Sequence, residues 1–235
     1  MTRKYILEIS VESAEAAAAA ERGGADRIES CSDLKVGGLT PSRALLQGVR
    51  EKVHLPIYSM IRPRAGGFVY SESEFAAMKQ SIAEAKECGM GGVVLGMLTK
   101  ARRVDIARTR ELVDFAKPLP VTFHRAFDEI ADLRQALEDV IGTGARRILT
   151  SGGAKSALEG AAILADLVQL AGERIIILPG AGISAENIAE VVRQTTAREF
   201  HSGLSSTLPY SSRDFARFES EVTKLVRALA RLAPS

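Results

Sequence analysis

The chain has 235 residues, of which 46% are hydrophobic and 26% charged, the composition of a globular protein that can bury a core without disulfide bonds. Lysine and arginine number 31 against 29 acidic residues, and the small basic excess forms no stripe, which argues against nucleic acid as a partner. No apolar run approaches the roughly 20 residues of a membrane span. The N-terminal segment turns acidic too early for a signal peptide, and Cys31 and Cys88 form no CxxC pair. We therefore expect a cytoplasmic protein with no membrane partner.

Short apolar runs that are typical of buried parallel strands alternate along the chain with stretches of helical spacing. The predicted strands span residues 5–10, 27–30, 56–61, 92–96, 120–125, 146–151, 174–180 and 198–202. The predicted helices lie near residues 12–22, 41–52, 72–88, 105–116, 131–142, 156–171, 184–194 and 212–231. Four helix starts carry capping signals: Thr40 before Pro41, the capping boxes Ser71 with Glu74 and Ser156 with Glu159, and Ser184 before the seventh helix.

The number of strands predicts the fold class. Eight strands in 235 residues leave about 29 residues for each unit, which is the length of a βα repeat. An open doubly wound sheet usually has fewer strands and a GxGxxG motif after the first one, whereas this chain has EISVES there. No linker rich in proline, glycine or serine divides the chain. We therefore predict an α/β fold, a (β/α)8 barrel of the TIM type, that forms a single domain over residues 1–235.

Polar residues collect at the C-terminal ends of these strands, where barrels of this class carry their active sites. Because side chains alternate along a strand, each strand directs one set into the barrel, and we expect that set to include Glu8, Glu29 and His201. Isolated buried charges are costly, so such a cluster needs mutual pairing or a charged ligand. The polar residues at the strand ends are Glu8, Ser10, Arg27, Glu29, Cys31, Arg62, Arg64, His124, Arg125, Asp128, Thr150, Ser151, His201 and Ser202.

Residues of this set have the chemistry of proton transfer. His124, beside Arg125 at the end of the fifth strand, is the candidate general acid or base. Glu8 or Glu29 would be its proton partner. Asp128 either takes part in catalysis or caps the helix that begins near residue 131.

Two arginines form a candidate anion clamp. Arg62 and Arg64 flank Pro63, and a pair of guanidinium groups can bind a carboxylate or a phosphate bidentately. The alternative is a structural ion pair with Glu8 or Glu29.

Glycine-rich turns follow the last three strands: TSGG at 150–153, PGAGIS at 179–184 and HSG at 201–203. Such turns either bind phosphate through their backbone N–H groups or only join strands to helices. The remaining predicted ligand-binding residues are Arg27, Arg125, Thr150, Ser151, Gly152, Gly180, Gly182, His201 and Ser202.

Metal ligands at this face are few. Copper(I) prefers thiolate and thioether ligands, and copper(II) prefers imidazole with oxygen. Cys31 is the only cysteine among the strand ends. The candidate metal ligands are therefore Cys31, His124 and His201.

Five stretches of the sequence together resemble the CutC copper homeostasis family. They are ERGGADRIESCSDLKVGGLTPS (21–42), MIRPRAGGFVYSESEFAAM (60–78), VTFHRAFD (121–128), RRILTSGGAKSALEG (146–160) and EFHSG (199–203). The resemblance implies a (β/α)8-type barrel, a cytoplasmic location, self-association as a dimer, and copper as a bound metal. Ser10 stands where members often have cysteine, which weakens a copper site built on paired cysteines.

Two functional hypotheses follow. The resemblance implies a cytoplasmic copper-binding protein of copper homeostasis. The site residues themselves favour a barrel enzyme that acts on a small anionic metabolite bearing phosphate or carboxylate, with His124 moving a proton and Arg62 and Arg64 holding the anion. The expected partner is thus a small anionic ligand or a metal ion.

Overall fold

Parallel strands alternate with helices around a buried interior. The computed structural model describes residues 5–205, 207–209 and 213–232, and within them eight strands alternate with eight α-helices. The strands are β1 (Ile6–Val11), β2 (Arg27–Ser30), β3 (Ile57–Met60), β4 (Gly92–Leu95), β5 (Val121–Phe123), β6 (Arg147–Thr150), β7 (Ile176–Pro179) and β8 (Glu199–Ser202). The helices are α1 (Ala14–Gly23), α2 (Arg43–Lys52), α3 (Glu72–Glu87), α4 (Ile106–Ala116), α5 (Leu133–Ile141), α6 (Ala161–Ala171), α7 (Ile188–Thr195) and α8 (Phe215–Ala230).

The sheet has the order of a barrel. Each strand from β1 to β7 pairs in parallel with the next one along the chain, and β8 returns to pair with β1. β7 and β8 contact each other at the remaining gap, so the sheet nearly closes on itself. The predicted (β/α)8 barrel is confirmed, and its C-terminal strand ends all lie at one face.

Three of the four predicted capping signals do not lie at a helix start, and only the capping box of Ser71 with Glu74 is confirmed, at the start of α3. In each of the three cases the helix begins later than the signal. Thr40 instead accepts a hydrogen bond from the backbone N–H of Arg62 at 2.8 Å. The helices α2, α6 and α7 follow Ser42, Gly160 and Asn187, in place of Thr40, Ser156 and Ser184.

The signals at Ser156 and Ser184 belong to turns that precede their helices. The Ser156 hydroxyl accepts from the Glu159 N–H at 3.2 Å, but this closes an isolated turn. The Ser184 N–H donates to the Asn187 side chain at 2.9 Å in the turn before α7. Local hydrogen bonds of this kind form equally in turns and at helix starts, so sequence spacing does not separate the two. Residue 212, the predicted start of the last helix, lies outside the described residues.

The two faces of the barrel strands differ in chemistry. The outer face packs against the helices and is apolar, with Leu7, Ile9 and Phe200 fully buried. Burying a side chain of this size contributes about 1.5–3 kcal/mol. The inner face carries buried charges from β1, β2 and β8 and the half-buried Arg147 from β6. Among the residues that the structure describes, no helix is long and apolar enough to cross a membrane.

Candidate functional site

The N-terminal half of the barrel interior holds an ionic cluster, here called the floor network: Glu8, Arg27, Tyr58, Arg147 and Glu199. Arg27 donates to Glu8 at 2.5 Å and to Glu199 at 2.7 Å. Arg147 donates to both oxygens of Glu199, at 2.7 and 3.2 Å, and to the Tyr58 hydroxyl at 3.1 Å. Both guanidinium groups lie over the Tyr58 ring, 5.0 and 5.6 Å from its centroid. Every charge in the floor network therefore has an opposite charge beside it.

Above the floor lies a second cluster, the acid–histidine group, made of Glu8, Glu29 and His201. His201 Nδ1 lies 2.7 Å from Glu8 Oε1, and its Nε2 lies 3.8 Å from Glu29 Oε2. The register explains the convergence, because Glu8 is paired with His201 across β1 and β8, and Ser10 with Glu29 across β1 and β2. Glu29 Oε1 is buried and has no hydrogen-bond partner among the described residues. The predicted meeting of these three side chains inside the barrel is thus found.

The two carboxyl groups of the acid–histidine group have pKa values shifted in opposite directions. Burial, helped by the charge of Glu8, raises the pKa of Glu29 from 4.5 to about 7. Burial would also raise the pKa of Glu8, but Arg27 and the bond to His201 outweigh it and lower that pKa to about 2. Burial alone would lower the pKa of His201, but the charge of Glu29 and the hydrogen bond to Glu8 outweigh burial and raise that pKa. Glu29 is therefore the carboxylate whose charge is least compensated.

His124, at the end of β5, is a neutral hydrogen-bond donor. Burial and the nearby Arg62 lower its pKa to about 3. Its Nδ1 accepts from the Ala126 N–H at 3.2 Å, so the proton of the neutral ring sits on Nε2. Nε2 has no partner in the part of the chain that the structure describes. Gly96 makes room for the ring, since a Cβ there would lie 2.5 Å from Nδ1.

The two arginines of the predicted clamp lie in different surroundings. Arg62 is buried at the cavity, where it donates to the carbonyl oxygens of Val36, Gly38 and Gly66 and stacks on Phe68. Arg64 lies outside the cavity. Its partners are the Glu74 carboxylate, the carbonyl oxygens of Gly67 and Val69, and the Tyr70 ring. The structure therefore does not bring the pair together as a clamp, and neither arginine pairs with Glu8 or Glu29.

Asp128, in the segment after β5, is hydrogen-bonded to the end of β6 and to the loop that follows it. Its carboxylate accepts from the Thr150 hydroxyl at 2.5 Å, from the Ser151 N–H and hydroxyl at 3.1 and 3.0 Å, and from the Gly153 N–H at 3.1 Å. Arg125 donates to it at 2.8 Å. The alternative reading of Asp128 as a helix cap is wrong, because Asp132 caps α5. Within TSGG, the backbone N–H groups of Ser151 and Gly153 thus donate to the protein's own carboxylate instead of being free for a phosphate.

The remaining predicted ligand residues have structural contacts. Gly152 donates to the Thr150 hydroxyl at 2.8 Å inside the same loop. Gly180 leaves room for its neighbours, since a Cβ there would lie 2.5 Å from Leu149. Ser202 donates to the Ile183 carbonyl at 2.7 Å, which connects the end of β8 to the loop after β7. Gly182 borders the cavity, and its φ of +69° favours glycine.

A cavity of about 620 Å³ opens at the C-terminal face and joins these features. Six of the side chains that border it are Glu29, Arg62, Phe68, His124, Arg125 and His201. Asp128 and Lys155 lie at the same opening. The cavity is far larger than a single ion or water molecule requires, since a water occupies about 30 Å³ in the liquid.

A metal ion would find a different ligand set from the predicted one. Among the described residues, the group whose ligand atoms all lie within 4.8 Å of one another is Glu8, Glu29 and His201. Cys31 and His124 are not part of it. Burial, with Glu29 nearby, raises the pKa of the Cys31 thiol, whose sulfur contacts the Val11 carbonyl at 3.6 Å. Of the predicted ligands Cys31, His124 and His201, only His201 is in the group.

Sequence reasoning missed two parts of the interior. Tyr58 and Arg147 of the floor network were not predicted as interior residues, although Arg147 lies two residues before Leu149, so alternation places it on the inner face. Glu199 was expected on the same face as His201, but its pairing with the two arginines was not predicted. Phe68 lies in an irregular loop and contacts the His124 ring at a centroid distance of 4.9 Å. No periodic signal identifies a loop residue of this kind.

Together these features define a (β/α)8-barrel protein with a buried carboxylate–histidine group that opens to a cavity at the C-terminal face. The chain belongs to the CutC family, whose family model matches residues 5–206. A human protein named copper homeostasis protein cutC homolog is 45% identical over 203 residues, 86% of this chain and 74% of that protein. A Xylella fastidiosa family protein CutC is 48% identical over 202 residues, 86% of this chain and 76% of that protein.

A solved structure agrees with the sequence matches. The crystal structure of the putative copper homeostasis protein CutC from Streptococcus agalactiae has a TM-score of 0.81 and 30% identity to this chain. The match covers 85% of this chain and 98% of that one. The family and the fold are therefore established together.

Proposed function

We propose that this protein acts in copper homeostasis and that it binds a divalent copper ion in the acid–histidine group. The observation that carries the proposal is the buried, unpartnered Oε1 of Glu29, which lies in a group with the imidazole of His201. The names of the human and bacterial relatives, which refer to copper homeostasis or to CutC, support the choice of metal.

The donor set fits copper(II) better than copper(I). Imidazole and carboxylate oxygen suit the divalent ion, whereas the monovalent ion prefers thiolate and thioether sulfur. Cys31 is held as a thiol by its raised pKa, so it is a poor ligand near neutral pH. Glu29 and His201 are therefore the residues that would coordinate copper(II) directly.

Glu8 would act on the metal through His201. One of its oxygens already accepts from Arg27, and the other lies 2.7 Å from His201 Nδ1. Metal-binding histidines commonly donate their second N–H to a carboxylate, which fixes the ring and raises its basicity. Glu8 thus directs His201 Nε2 toward Glu29, where the ion would bind.

The test is a copper(II) titration of the purified chain against a competing chelator, for the unaltered protein and for Glu29→Gln and His201→Asn. We expect one ion per chain, and an affinity at least about tenfold lower in each variant because a ligand is lost. Glu129→Gln is the matched control, since Glu129 borders the same cavity but lies outside the acid–histidine group. Absence of stoichiometric binding, or equal affinity in the Glu29 and Glu129 variants, would contradict the proposal.

We also propose a cytoplasmic location. Cys31 and Cys88 are both free, which suits a reducing compartment. Fractionation of cells that express the chain, with antibody detection, checks the location, and recovery from an oxidising compartment would contradict it.

A further inference from the structure

Two buried groups that border the cavity lie outside the acid–histidine group and each have a nitrogen without a hydrogen-bond partner in the described part of the chain, and His124 is the first. His124 is 4% exposed, and its Nε2 has no hydrogen-bond partner among the described residues. Because Nδ1 accepts from Ala126, the free nitrogen carries a proton and cannot coordinate a metal. A buried donor without an acceptor costs about 1–3 kcal/mol. His124 is therefore suited to a ligand that offers an oxygen acceptor.

Arg62 is the second unexplained group. It is 6% exposed, and within the described ranges no carboxylate lies close enough to form an ion pair with it. Three of its five N–H groups donate to backbone carbonyls, which carry no net charge. Its Nε has no hydrogen-bond partner in the same residues, and the nearby Tyr70 hydroxyl, whose pKa is raised by burial, supplies no negative charge near neutral pH. A buried guanidinium without a counter-charge favours an anion at the cavity.

Both groups lie around one ring. The Arg62 guanidinium and the His124 ring are each 4.9 Å from the centroid of Phe68, and all three residues border the cavity. Glu29 and His201 border the same cavity. The cavity lining thus carries both the donors Arg62 and His124, which lie around Phe68, and the acid–histidine residues Glu29 and His201.

We propose that this cavity binds a small organic acid whose carboxylate is held by Arg62 and His124 and whose adjacent hydroxyl or amino group reaches the acid–histidine group. Arg62 and His124 supply N–H donors to the two carboxylate oxygens. The 2-hydroxy or 2-amino group then meets Glu29 Oε1 or the metal ion. The contact with the metal ion rests on the proposed copper function, whereas the carboxylate contact and the contact with Glu29 do not.

The donors of Arg62 and His124 fit a planar carboxylate, and the loop after β6 is not free to bind a phosphate. Barrels that bind phosphate use backbone N–H groups of the loops after the late strands. In the loop after β6 the N–H groups of Ser151 and Gly153 already donate to Asp128. Planar donors such as the guanidinium of Arg62 and the ring N–H of His124 suit a planar carboxylate.

The experiment uses L-lactate as the probe and the metal-free full chain. We expect L-lactate to raise the Tm of the unaltered protein as its concentration increases. His124→Phe keeps a ring beside Phe68 but removes the donor, and we expect at least about tenfold weaker lactate binding by calorimetry. Arg62→Gln should weaken binding at least as much. Arg64→Gln is the matched control, because Arg64 lies on the same loop but outside the cavity, and it should bind lactate as the unaltered protein does.

Four results would overturn the inference. They are the absence of lactate binding, lactate binding that is equal in His124→Phe and the unaltered protein, equal affinity for acetate and lactate, and inorganic phosphate that binds more tightly than lactate with the same dependence on Arg62. Because Arg62 also holds three loop carbonyls, the His124→Phe result decides the matter if Arg62→Gln does not fold.

A second arm separates this inference from the proposed function. Lactate added to the copper-loaded chain should shift the visible absorption band of copper(II), and the shift should be absent in His124→Phe. Copper binding without any lactate effect overturns the inference and leaves the proposed function standing. Lactate binding by a chain that takes up no copper supports the carboxylate site and overturns the copper proposal.

Discussion

The floor network and the C-terminal mouth of the barrel, where Glu29 and His124 border the cavity, differ in how well their polar atoms are paired. In the floor network, Arg27 and Arg147 share the carboxylate of Glu199, and each charge has a partner within hydrogen-bond distance. At the mouth, Glu29 Oε1 and His124 Nε2 have no partner among the described residues. Since burial of an unpaired polar atom is unfavourable, the complete network has a structural role, and the unpaired atoms are the ones that the proposed copper ion and carboxylate would meet.

The largest expected effect comes from breaking the floor network. Glu199→Ala leaves Arg27 and Arg147 buried without their shared carboxylate. Loss of one partner from a buried ion pair costs about 3–5 kcal/mol, which lowers Tm by about 12 °C in a chain of this size. Thermal unfolding followed by circular dichroism measures the change.

An exposed ion pair provides the control for that prediction. Glu138 and Arg174 form two hydrogen bonds, at 2.7 and 2.8 Å, on the surface. Exposed pairs of this kind contribute little, so Glu138→Ala should leave Tm nearly unchanged. Equal losses in the Glu199 and Glu138 variants would mean that the floor network is not a special source of stability.

Two glycines of β4 and its end test the floor and the mouth separately. A Cβ at Gly92 would lie 2.6 Å from the Tyr58 ring, and one at Gly96 would lie 2.5 Å from the His124 ring. Each Gly→Ala change should destabilise the protein by about 3 kcal/mol through overpacking. Only Gly96→Ala should also weaken lactate binding, because it displaces His124. Denaturant unfolding and calorimetry measure the two effects, and loss of lactate binding in Gly92→Ala would break the distinction.

Strand periodicity predicted the convergence of the acid–histidine group, and it could have predicted the floor as well. The period of two places Glu8, His201 and Glu199 on the inner face, and the barrel then brings their strands together. The roles of Asp128 and Arg64 were not accessible in this way. Both lie in loops, where the position of a side chain depends on tertiary hydrogen bonds that no sequence period encodes. Strand ends were thus predictable, and loop contacts were not.

The pH dependence of stability distinguishes the mouth from the floor with a somewhat smaller effect. Folding raises the pKa of Glu29 from 4.5 to about 7, so the folded chain binds a proton more tightly there. The resulting stability is complete below pH 4.5 and is lost as the pH rises through about 7. His201, whose pKa is also raised, acts in the same direction, whereas Glu8 is held ionised by Arg27.

Glu29→Gln should therefore flatten this dependence. We expect the metal-free protein to lose on the order of 2 kcal/mol more than the variant between about pH 5 and about pH 8. Urea unfolding at a series of pH values gives the comparison. If the free energy of unfolding of the two proteins changed with pH in parallel, the ionisation of Glu29 would not destabilise the fold. The charge of Glu29 would then be as well compensated as the charges of the floor network.

The smallest expected effect concerns Cys31. The sequence predicts it as a metal ligand, but in the structure it packs against Tyr58, Met60 and Val94. Its thiol is fully buried, and its pKa is raised, so it packs as a small apolar group. Cys31→Ala should cost about 1 kcal/mol through a small cavity and leave copper(II) affinity unchanged. The same chelator titration and unfolding assay measure both. A tenfold loss of copper(II) affinity would instead show that Cys31 is a ligand of the copper site. The site would then extend beyond the acid–histidine group into the packed interior.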